Sequence, residues 1–175
     1  MTVFSLIDRW LFSAYRASGY LAAILLLTLT ASMLVSIIAR LSGYYIGGIT
    51  EFAGYTMAAS AFFGMSYTYA NSGHIRVKLA FTIMSPAVRR AVEVGCRGVM
   101  AFATVYLAYY LYRLTYFSWD FRERSEGADG LLLWIPQGIT TAGAAVFALA
   151  GVHLFLRSLA DPAAMAVYDD EDNAL

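Results

Sequence analysis

Two histidines, one cysteine and a short basic cluster are the side chains best suited to chemistry in this chain. His74, Arg76 and Lys78 arrive within five positions in "SGHIRVKLAF" (72–81), directly after a long run without charge. An imidazole with two cations at that spacing can clamp a phosphate or a lipid headgroup. His74 and His153 could together supply the two axial ligands of one haem. Against that pairing, His74 follows a helix-ending glycine, Gly73, instead of standing on a rigid helix. Cys96, being alone, makes no internal disulfide and no CxxC metal site. Glu51 is the strongest single acid, since a carboxylate within a membrane is by default a functional residue. Proton-coupled exporters need that acid near mid-membrane. Glu51 instead opens its helix at the outer end, where a capping or subunit-contact role fits better. No Gly-rich phosphate loop, nucleophile elbow or HExxH stands behind any catalytic reading.

The elements that would position these groups are membrane helices. Sixty per cent of the residues are hydrophobic and only 14% charged, which lies outside the soluble range. The charges are also segregated. Lys, Arg, Asp and Glu are absent from 19–39, 41–50, 52–73, 98–112 and 130–156. A hydrocarbon core about 30 Å thick needs roughly 20 helical residues. Four spans are expected near 19–39, 52–72, 93–115 and 135–156, in an all-α integral membrane protein with added interfacial amphipathic helices. Continuous apolar runs rich in Leu, Ala and Met exclude the alternating strands of a β-barrel. Twelve basic and twelve acidic side chains cancel, so no charge excess points to nucleic acid.

Four spans put both termini and the 74–92 connection on one side. That side holds Arg9, Arg16, Arg76, Lys78, Arg89, Arg90 and Arg157, against Arg40, Arg113, Arg122 and Arg124 on the other. The positive-inside rule then places the termini in the cytoplasm. The expected organisation is one membrane domain over 1–160 and a disordered acidic tail over 161–175, ending "DDEDNAL". Residues 2–17 read as an interfacial helix anchored by Trp10, and a plain extension of the first span is the other reading. Thr50 is a plausible N-cap for the second helix and Gly73 a good residue to end it. Ser85 and Pro86 restart a helix on which Glu93 and Arg97 stand four apart. Tyr106, Tyr109, Tyr110, Tyr112 and Tyr116, followed by Trp119, read mostly as an outer aromatic belt, with Trp134 and Pro136 at the same level. Gly54 and Ala58, and Ser60, Gly64 and Thr68, form small-residue faces on the second span, as Ala144 and Ala148 do on the fourth. Such faces can pack these helices together or dock a partner. The prolines all lie at helix edges, and neither an internal repeat nor a mid-span charge marks a substrate path.

Taken together, these residues resemble the small membrane subunit (DctQ type) of the tripartite ATP-independent periplasmic (TRAP) transporters. The resemblance rests on Glu51 opening the second helix, then on Gly73, His74, Ile75, Arg76 and Val77 just after it. A basic, Ser-Pro-led helix start (Ser85, Pro86, Arg89, Arg90) and a Trp-Ile-Pro-Gln entry to the last span (134–137) add to it. The family's residue after Val77 is often acidic, and Lys78 departs from that pattern. The resemblance covers about Trp10 to Arg157. It implies a non-catalytic inner-membrane scaffold without a cofactor. Such a subunit braces a large multi-spanning subunit that moves an organic carboxylate or sulfonate inward on a sodium gradient. The anion is delivered by a periplasmic binding protein. His74, Arg76 and Lys78 would then sit at the cytoplasmic headgroup level, anchoring to lipid or to the large subunit. Two competing readings are a haem-binding anchor subunit of a respiratory enzyme and an autonomous small proton-coupled transporter.

Overall fold

The computed structural model describes residues 3–71, 85–125 and 130–160, and the long uncharged runs within them are helical. Four helices result: α1 (Val3–Leu41), α2 (Ile49–Ala70), α3 (Pro86–Asp120) and α4 (Trp134–Ala160). α1, α3 and α4 are long and apolar enough to cross a membrane. α2, at 22 residues, is the shortest, and its serines, threonines and tyrosines keep it out of that class. The "SGHIRVKLAF" stretch and the 161–175 tail lie outside the described residues.

Residues 2–17 were expected as a separate interfacial helix. From Val3 onward they instead continue without a break into α1, a helix of 39 residues. Nothing in that stretch breaks a helix, and Gly19, the first glycine, serves close packing instead of a bend. A Cβ there would stand 2.7 Å from the Tyr67 ring. At 1.5 Å per residue α1 is about 58 Å long, roughly twice the hydrocarbon core, so it extends beyond the bilayer.

Side-chain spacing dictates how α1 packs. Tyr15, Ser18, Ala22, Leu25, Leu29, Ser32, Ser36 and Ala39 recur at alternating steps of three and four, and they form its shielded side. That period is the narrow seam of a left-handed coiled coil. α2 fills the seam with small residues, Gly64 approaching the Ala22 methyl. The 42–48 connection reverses the chain through Gly43 (φ 80°) and Gly48 (φ 78°), left-handed conformations that cost glycine little. Gly48, not Thr50, is therefore the N-cap of α2.

The register follows from the close approaches. Gly19 meets Tyr67 and Ala22 meets Gly64, so α1 and α2 are antiparallel. Gly143 meets Phe62 and Phe63, while Ala70 and Ala150 share one buried cluster, so α2 and α4 run parallel. Gly98 meets Phe155 and Gly151 meets Thr104, so α3 and α4 are antiparallel. The helices thus stand in a row, α1–α2–α4–α3, with α1 and α3 at its edges and only a limited α1–α4 contact. The beginning of α1 and the end of α4 share one end of the row.

The interior hydroxyls are turned inward on their own helices. Ser18, Thr56, Ser60, Ser66, Thr104, Thr140 and Ser158 each donate to a backbone carbonyl three or four residues earlier. Ser118, which donates to Glu123 at 2.7 Å, is the exception among the buried polar residues described. Helix association therefore rests on close approach of small residues more than on hydrogen bonds between helices.

Candidate partner interface

Polar chemistry gathers at the two ends of the row. At the end opposite the termini, the first turn of α2 carries Glu51, and its carboxylate accepts a hydrogen bond from the Ser125 hydroxyl. Ser125 is held there by a short hairpin. Arg124 pairs with Leu132, the Ser125 amide donates to the Leu131 carbonyl at 2.8 Å, and the Leu133 amide donates to Glu123 at 3.1 Å. Glu51, Tyr55, Glu123, Arg124, Ser125 and Leu133 line an open cleft of about 550 Å³. Glu51 thus pins the α3–α4 connection to the start of α2. Trp134 is exposed and Pro136 buried as α4 begins. Pro136 cannot donate, so the carbonyl it supplies to Thr140 (3.0 Å) is the bond that matters locally.

At the other end His153 joins α4 to α1. Its Nε2 lies 2.8 Å from Asp8 Oδ1 and its Nδ1 3.3 Å from the Tyr15 hydroxyl. A carboxylate can only accept, so Nε2 carries the proton toward Asp8, while Nδ1 pairs with the Tyr15 hydroxyl. Tyr15 is fully buried. Phe12 meets the imidazole edge-on at 5.9 Å, and the Arg157 guanidinium lies 5.7 Å above the Phe12 ring. Both ring nitrogens of His153 therefore have protein partners, and the residue ties helices instead of presenting a free ligand. Among the described residues no group of three metal-ligating side chains comes together. Sequence reasoning missed this tie because Asp8 and His153 are 145 positions apart. The available signal was an aspartate beside the aromatic positions of the first helix.

The other sequence-predicted residues are placed as follows. Gly73, His74, Arg76 and Lys78 lie outside the described residues, as does the side chain of Arg89. Arg90 is exposed near the start of α3. On α2, Ser60 is buried, Ala58 half-buried and Gly64 close to Ala22, while Gly54 has open space around it and Thr68 is exposed. Thr115 and Thr141 make a direct contact between α3 and α4, their hydroxyls 2.8 Å apart.

The model of one protein family, described as tripartite ATP-independent periplasmic transporters, DctQ component, matches residues 29–161. No curated protein matches the chain.

Proposed function

The chain belongs to the DctQ family of tripartite ATP-independent periplasmic transporter components, and from that premise we propose a specific task. It braces a large, sodium-driven transport subunit while that subunit imports an organic carboxylate or sulfonate delivered by a periplasmic binding protein. The family's small subunits are non-catalytic membrane proteins that typically pair with such partners. One observation carries the reading for this chain. Among the described residues its buried polar side chains are serines and threonines, nearly all closed onto their own backbone, together with Tyr15 and the shielded Oε1 atoms of Glu93 and Gln137 toward the starts of α3 and α4. Between the two polar ends of the row the described residues place no carboxylate or imidazole in the interior, which suits a brace better than a carrier.

In this reading α2 is a fourth crossing. Its 22 residues span about 33 Å and run alongside α4 at the same depth. The positive-inside count puts the Asp8–His153 tie at the cytoplasmic face of the inner membrane and the Glu51 cleft at the periplasmic face. His74, Arg76 and Lys78 then lie at the cytoplasmic headgroups, where they dock the large subunit or anionic lipid.

A mild-detergent pull-down of the tagged full-length chain from its native membranes tests the reading. Stoichiometric recovery of a large multi-spanning membrane protein is expected. Recovery of the chain alone, or with flavin and iron–sulfur subunits, overturns it. Replacing His74 and Arg76 by Ala is expected to weaken assembly, and unchanged assembly and uptake would remove docking through those residues.

A further inference from the structure

The two edges of the row differ in chemistry. On α1 the exposed side is aliphatic, with Leu27, Leu34 and Ile38 turned outward. The hydroxyls of Thr28 and Thr30 there are closed onto the backbone at 2.9 Å. Such a surface matches lipid tails. α3 is different. Thr104 and Thr115 face α4, and about half a turn away runs a stripe of exposed side chains: Phe102, Tyr106, Tyr109, Tyr110, Arg113 and Phe117. The rings are continuous, 6.1 Å from Phe102 to Tyr106, 4.6 Å from Tyr106 to Tyr110 and 5.4 Å from Tyr110 to Tyr109. The Arg113 guanidinium completes the stripe, 6.0 Å from the Tyr110 ring and 5.5 Å from Phe117.

Depth separates this stripe from an aromatic belt. With Trp119 at the outer interface, Tyr109 lies ten residues further in, about 15 Å, at the middle of a core about 30 Å thick. The Tyr109 hydroxyl has no hydrogen-bond partner among the described residues. Lipid tails supply neither an acceptor for that hydroxyl nor a counter-charge for Arg113. Charged side chains within spans almost always face protein or water, and a tyrosine hydroxyl, held far from its own backbone by the ring, needs a partner from outside its helix.

We infer that the large transport subunit seats on this outward stripe of α3, through a helix bearing a carboxylate at the depth of Arg113 and an acceptor near Tyr109. The inference rests on the scaffold reading above and names the face it uses. A second copy of this chain fits poorly. A two-fold axis along the membrane normal would bring Arg113 opposite Arg113 at one depth, in a medium that screens like charges weakly.

Photocrosslinking in native membranes tests it, with photoreactive benzoylphenylalanine placed in the full-length chain at 106, 109, 27 or 34. Positions 106 and 109 are expected to give an adduct with the mass of the large subunit, and positions 27 and 34 none. The reverse pattern overturns the assignment, and so does an adduct of twice this chain's mass from 109. Absence of adducts from all four positions, while the pull-down still recovers the large subunit, overturns the stripe and leaves the scaffold reading standing. Absence of the large subunit from the pull-down sinks both. Arg113→Leu is expected to lose co-purification while keeping its helical circular-dichroism signal, with Arg113→Lys retaining part of it. Full retention in the leucine variant counts against the proposal.

Discussion

Gly151→Ala is the sharpest test of how the row is held together. A methyl at that position would stand 2.6 Å from Thr104 Oγ1 and 3.4 Å from the Ala101 Cα. The first distance falls about 0.8 Å short of ordinary contact. Two relaxations are open. Thr104 can rotate, which forfeits its 3.0 Å bond to the Ala101 carbonyl, at a cost of about 0.5–1.5 kcal/mol. Alternatively α3 and α4 can separate, an overpacking response that typically costs ~1–3 kcal/mol. Alanine returns up to about 1 kcal/mol of helix propensity, so the net expectation runs from near zero, if Thr104 rotates, to a loss of about 2 kcal/mol, if the helices separate. Gly54→Ala provides the control, because nothing lies within 4 Å of its Cβ and only the propensity gain remains. The propensity gain cancels between the two variants, which should therefore differ by the relaxation cost alone, about 1–3 kcal/mol. The assay is unfolding of the purified chain by SDS titration from mild detergent, followed by circular dichroism. Thr104→Ala in the Gly151→Ala background removes the clashing oxygen and should restore most of the loss. Equal stability of the two alanine variants, or no relief from the second substitution, would refute close approach as the basis of the α3–α4 pair.

Other tests address the ends of the row. In a double-mutant cycle of Asp8→Ala and His153→Ala, the same unfolding assay should show a coupling of about 1–2 kcal/mol. Asp8 is one-third exposed, which keeps the figure below that of a fully buried pair. Glu51→Ala should release the hairpin, read as faster hydrogen exchange at the Ser125 and Leu133 amides, with α1 unaffected. Gly48→Ala should cost about 1 kcal/mol, because φ is 78° there, and a neutral result would show that the 42–48 turn relaxes freely.

Much of the architecture was readable because charge is an all-or-none signal in a bilayer. The uncharged runs located all four helices, and Pro86 and Trp134 marked the starts of α3 and α4. Boundaries outside the bilayer were less legible. Residues 2–17 carry charge and an apolar face, which favours an interfacial helix over an extension of the first span, and only the packing on Tyr67 and His153 shows that they continue α1. The shift of the cap from Thr50 to Gly48 had the same origin, since cap chemistry was legible but the backbone angle was not. Glu51 was recognisable as a contact residue, but Ser125 as its partner was not, because the two are 74 positions apart. Small-residue spacing identified faces on α2 without saying which one a neighbour would cover, and Gly54 and Ser60 came out differently.

The self-closed hydroxyls of α2 bear on how membrane insertion is read. Residue hydropathy scales charge each serine and threonine the cost of stripping water from a free hydroxyl. In α2, Thr56, Ser60, Ser66 and Thr68 reach the carbonyls of Phe52, Met57, Phe62 and Gly64 at 2.8 to 3.0 Å. A hydroxyl already bonded to its own helix carries much less of that penalty into hydrocarbon. The partition free energy of the folded helix is therefore more favourable than the sum over its letters.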